Sequence, residues 1–152
     1  MTGIMEMKAN MEAAGGTPER VLVVEDDALL ALSIEDVLRG AGTPKVTVCP
    51  TIELAMASIE EARPDAIILD SHLSDRHDGW ALAEVVNCLG PRRPRIIFST
   101  AAPEEIPPEI AKLGVIFEKP YDPSMLIDAL NAREASGLFS RFRSAFSRPQ
   151  TH

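Results

Sequence analysis

Cysteine is scarce in this chain, long apolar runs are missing, and positive charge is in deficit. The two cysteines, Cys49 and Cys88, are far apart and in no metal-ligand spacing. They read as reduced, buried or half-buried residues of a cytoplasmic protein. No apolar run approaches the roughly 20 residues that a membrane span needs. The first residues carry Glu6, Lys8 and Glu12 through their middle, which denies them the apolar stretch of a secretory signal. The formal charge is −8, a balance that repels nucleic acid and anionic membrane surfaces. Nothing repeats internally.

What is present suits one globular domain with tails: 152 residues, 45% hydrophobic and 25% charged. Three apolar runs stand out, Arg20 to Glu25, Ala66 to Asp70 and Arg95 to Thr100, each ending in polar or acidic residues. Unbroken β-branched runs without alternation are the mark of strands buried on both faces. Weaker strand candidates are Lys45–Cys49 and Gly114–Glu118. Between them lie segments with helical spacing. Leu29 to Leu38 fits a helix ended by Gly40 and Gly42, and Leu54 to Ala62 one capped by Thr51 and stopped before Pro64. Trp80 to Leu89 fits a third ending at Gly90, and Met125 to Leu130 a fifth. The fourth, around Ile110 and Leu113, is crowded by Pro103, Pro107 and Pro108, so it begins no earlier than Pro107 and runs about two turns. Alternating strands and helices imply an α/β domain, a doubly wound parallel sheet of five strands with helices on both faces.

In a parallel sheet all strand C-termini share one edge, where ligands gather. Here that edge receives Glu25, Asp26 and Asp27 from the first strand and Asp70 from the third. Ser99 and Thr100 come from the fourth, and Glu118, Lys119 and Pro120 from the fifth. Converging carboxylates repel one another and raise the pKa of at least one. A divalent cation relieves that cost, and an oxygen-only donor set favours Mg²⁺ over zinc. A carboxylate can also act as nucleophile toward phosphorus. Lys119 would then supply a compact positive charge, and Thr100 a hydroxyl for a phosphoryl oxygen. Asp27 reads instead as a helix N-terminal acid, His72 and His77 as exposed loop residues, and Trp80 as packing at the start of the third helix.

The ordered set Val-Val-Glu25-Asp26-Asp27, Ile-Ile-Leu-Asp70, Ser99-Thr100-Ala101 and Lys119-Pro120 resembles the receiver domain of bacterial response regulators, over about three quarters of the chain. The resemblance implies a CheY-like, flavodoxin-like sheet of order 2-1-3-4-5. It divides the chain into a leader (1–18), a receiver domain (19–135) and a basic, aromatic tail (136–152). It implies Asp70 as phosphoacceptor, Thr100 as switch hydroxyl and Lys119 as the phosphate-pairing lysine, followed by a cis peptide. Asp26 would hold Mg²⁺ directly and Glu25 through water, with Asp70 and the His72 backbone carbonyl completing the protein's ligands. The implied role is a stand-alone receiver that is no enzyme beyond its own phosphorylation and dephosphorylation. It would be loaded by a histidine kinase or histidine phosphotransfer protein and signal through protein contacts, with a homodimer left open. Alternatives are a phosphate-independent pseudo-receiver and a metal-dependent aspartyl-phosphate phosphohydrolase, though the latter usually has Asp where this chain has His72.

Four features depart from the family pattern. Ile116 stands where an aromatic is common, three positions before Lys119, and Ser74 where Pro is common. The loop from Ser74 to Gly79 is one residue longer than usual, and the fourth helix is short. In the tail, Leu138, Phe139, Phe142 and Phe146 recur at helical spacing among arginines. That stripe reads as a helical extension packing on the domain or on a second copy, or as a docking segment for a partner or acidic surface.

Overall fold

A computed structural model describes residues 17–73 and 79–131. The chain alternates β1 (Arg20–Val24), α1 (Ala28–Gly40), β2 (Lys45–Cys49), α2 (Ile52–Glu61), β3 (Ala66–Asp70), α3 (Gly79–Asn87), β4 (Arg95–Thr100), α4 (Pro108–Ala111), β5 (Gly114–Glu118) and α5 (Met125–Asn131). All strand pairings are parallel, in one five-stranded sheet of order β2-β1-β3-β4-β5. The doubly wound architecture and strand order are those expected.

Burial follows each strand's place in the sheet. In β3 every residue is buried, and in β1 and β4 all but the first. The edge strands β2 and β5 alternate instead, because helices cover only part of each. Leu22, Ile67, Leu69, Ile96 and Phe98 face α2, α3 and α4. Val21, Val23, Ile68, Val115 and Phe117 face α1 and α5. Trp80 packs edge-on against Phe98, ring centroids 6.2 Å apart, as a packing residue should. Gly114 permits a close approach of β5 to β4: a Cβ there would collide with the carbonyl oxygen of Ile96, its register partner.

Local chemistry sets the helix ends. The Asp27 side chain caps α1 by accepting from Leu29 and Leu30 N–H, and Thr51 caps α2 by accepting from Leu54 N–H. Past Gly40 the chain turns through Gly42, whose φ of +99° suits a residue without a Cβ. Three expectations need correction. Cys88 is exposed, lying just past α3 on its solvent side, while Cys49 is buried as expected. Leu29 and Leu32 of α1 are 80% and 54% exposed; the buried stripe is Ala31, Ile34 and Leu38. The fourth helix begins at Pro108 but spans four residues, half the expected length, because Pro103 opens a separate 3-10 turn, Pro103–Glu105. The leader up to Gly16, the residues from Ser74 to Asp78 and the tail lie outside the described residues.

Candidate functional site

The C-terminal ends of β1, β3, β4 and β5 bring distant residues to one rim. Alternation along the strands turns Glu25, Asp70, Ser99 and Lys119 toward the same side of the sheet, and the register sets Asp70 beside Ser99 and Ser99 beside Phe117. Oxygens of Glu25, Asp26 and Asp70 lie within 4.8 Å of one another. Glu25 and Asp70 are 2% and 3% exposed. Lys119 Nζ reaches both, 3.1 Å from Glu25 Oε1 and 3.3 Å from Asp70 Oδ1. Its backbone N–H donates to Thr100 O at 2.7 Å, and its peptide bond to Pro120 is cis.

Two carboxylates are thus taken from water with one ammonium between them. Burial raises the Glu25 carboxyl from 4.5 to about 7; the Asp27 N–H opposes the shift and the Asp70 charge adds to it. The like-charge repulsion read from the sequence is present, but desolvation outweighs it. Burial pulls Lys119 down, yet the adjacent charges of Asp70 and Glu25 prevail and the net shift is upward. Asp27, its side chain engaged at the helix cap, stays out of the acid cluster.

The remaining oxygens show what the cluster can hold. Asp70 Oδ1 accepts from His72 N–H at 3.1 Å as well as from Lys119. Glu25 Oε2 accepts from Asp27 N–H, and buried Oε1 has the ion contact with Lys119 as its one charged partner. A buried carboxylate oxygen held only by an ion contact, beside two further acids, suits a hard divalent cation. The His72 imidazole is exposed and sits 3.6 Å from Glu105. Ile116 is half-buried against the α2–α4 side, and Phe117 next to it is fully buried on the other.

Four hydroxyls complete the rim in two pairs. Ser71 Oγ donates to Thr100 Oγ1 at 2.7 Å, and Ser99 Oγ lies 2.8 Å from Tyr121 OH. Tyr121 also packs edge-on against Phe117, centroids 5.3 Å apart. Sequence reading overlooked Ser71 and Tyr121; the available signal was a hydroxyl directly after a strand-end acid, opposite another strand-end hydroxyl.

The sequence model of the response regulator receiver domain matches residues 21–131. The chain therefore belongs to the response regulator receiver family. It is 25% identical over 115 residues to chemotaxis protein CheY of Thermotoga maritima, covering 74% of this chain and 95% of CheY. It is 29% identical over 119 residues to phyllosphere-induced regulator PhyR of Methylorubrum extorquens, covering 77% of this chain but 44% of PhyR. A CheY-like receiver domain from Methylobacillus flagellatus shares the fold with a TM-score of 0.66 at 22% identity, over 76% of this chain and 98% of that one.

Proposed function

We propose that this receiver accepts a phosphoryl group on Asp70 from a histidine kinase or histidine phosphotransfer protein. The observation that carries the reading is the ion contact of Lys119 with both Glu25 and Asp70, which leaves the Asp70 carboxylate buried, oriented and beside a positive charge. An Asp70 oxygen attacks phosphorus, the phosphorus–nitrogen bond of the donor breaks, and the imidazole leaves with the electron pair. Lys119 and Thr100 then meet phosphoryl oxygens, the first as a charge and the second as a donor. Asp26, Glu25, Asp70 and the His72 carbonyl would hold Mg²⁺, which when bound offsets the charge on the phosphoryl oxygens.

An aspartyl-phosphate phosphohydrolase usually carries a second Asp, its acid/base, two residues after the nucleophile. His72 occupies that place with an exposed imidazole turned to Glu105. Leu29 and Leu32, exposed on α1 just after the acid pair, suit docking of a protein donor and output through protein contacts. The test is mass spectrometry after incubation with a small phosphodonor and Mg²⁺. An acid-labile adduct that disappears in Asp70→Asn is expected; no adduct, or one that persists in the variant, refutes the assignment.

A further inference from the structure

The pair formed by Ser71 and Thr100 is not required by the charges around it. Ser71 follows Asp70, and Thr100 follows Ser99, the register partner of Asp70. The Ser71 N–H extends the ladder one step by donating to Ser99 O at 3.2 Å. That step brings the two hydroxyls together, with Ser71 Oγ donating to Thr100 Oγ1 at 2.7 Å. Ala102 N–H donates to the same oxygen at 2.9 Å. Thr100 is 0% and Ser71 8% exposed, so neither bond is exchanged freely with water.

A hydroxyl oxygen has two acceptor lone pairs and one proton. On Thr100 both lone pairs are engaged, one by Ser71 and one by Ala102. What remains is donation. A phosphoryl oxygen is an acceptor, so it needs a proton and is repelled by a lone pair. Accepting two bonds also polarises the Thr100 O–H and strengthens any bond it gives.

We infer that Ser71 is a positioning residue, holding Thr100 so that its proton is the group offered to a phosphoryl oxygen on Asp70. The role rests on the phosphoacceptor reading and deepens it. Without the Ser71 hydroxyl, Thr100 can rotate and present a lone pair instead, and part of its contact with the phosphoryl group is lost.

Beryllofluoride with Mg²⁺, titrated calorimetrically onto the full chain, probes the acyl-phosphate state directly. Ser71→Ala is expected to weaken binding about fivefold, the equivalent of one net hydrogen bond. Ser71→Thr, which keeps the donor, restores binding to within about twofold of wild type, and Ser71→Gly, which also lacks a donor, replaces the alanine variant if that one fails to fold. In a Thr100→Ala background the Ser71→Ala change should add less than about twofold, because a residue that acts through Thr100 has nothing left to position. Undiminished binding by Ser71→Ala overturns the inference, and so does the same loss with Thr100 already removed. Failure of the wild-type chain to bind beryllofluoride overturns the phosphoacceptor reading itself, and the role of Ser71 falls with it.

Discussion

The charged half of the rim and its hydroxyl half are held by different physics. Glu25, Asp70 and Lys119 attract across 3.1 and 3.3 Å with little demand on direction, and the sign of each charge does most of the work. Ser71–Thr100 and Ser99–Tyr121 meet at 2.7 and 2.8 Å, and their bonds exist only if register and rotamer agree. The first half should therefore respond strongly to pH and to cations, the second to neither.

Lys119→Met is the severest way to break that contrast. It leaves two buried carboxylates without their cation, and at about pH 7.5 without metal it should cost about 3 kcal/mol in urea denaturation. At about pH 5 the loss should shrink, because Glu25 can then take up a proton. An equal loss at both pH values would show that packing of the lysine stem, not its charge, supports the rim.

The wild-type protein should show the same charge dependence in milder form. Folded, Glu25 keeps its proton up to about pH 7, whereas unfolded it loses it near 4.5. Between those values the folded state binds more protons, so stability falls as pH rises. The contribution, full below pH 4.5 and gone above about 7, is on the order of 3 kcal/mol. Melting in the absence of metal across this window should decline in the wild type and flatten in Glu25→Gln; parallel profiles would remove Glu25 as the cause. Mg²⁺ acts on the same groups. At tenfold above its Kd it should stabilise the fold by about 1.4 kcal/mol, and Asp26→Asn should lose most of that gain in a thermal melt.

How much of this was legible in the sequence follows the same division. Runs such as Ile67-Ile68-Leu69-Asp70 announce a buried strand and its acidic end at once, and parallel topology then sends every such end to one edge. Hence the meeting of Glu25, Asp26, Asp70 and Lys119 could be anticipated without coordinates, whereas the sheet order followed only from the resemblance to receiver domains. The Ser71–Thr100 bond could not, since a one-residue change of register would part the two hydroxyls. Helix exposure was similarly hidden. Leu29 and Leu32 fit an apolar helical pattern, yet the face that turns inward is chosen by Ala31, Ile34 and Leu38 against the sheet. The short α4 lay between these cases: its proline-limited start was readable, its single turn was not.

The smallest expected effect sharpens the comparison most. Tyr121 OH and Ser99 Oγ share one hydrogen bond, and Ser99 is both fully buried and the register partner of Asp70. Burial pushes the Tyr121 phenol up from its ordinary value, so it remains neutral wherever Glu25 titrates. Tyr121→Phe should therefore cost about 1 kcal/mol by leaving the Ser99 hydroxyl without its partner. Adding Ser99→Ala should cost little more, since the pair is lost once and not twice. Urea denaturation at about pH 5 and about pH 7.5 should give the same loss for Tyr121→Phe, with no change in the Mg²⁺ gain. A loss that grows with pH, as Lys119→Met predicts for the charged half, would mean that the phenol is coupled to the Asp70 and Glu25 charges, and the two halves of the rim would have to be treated as one network.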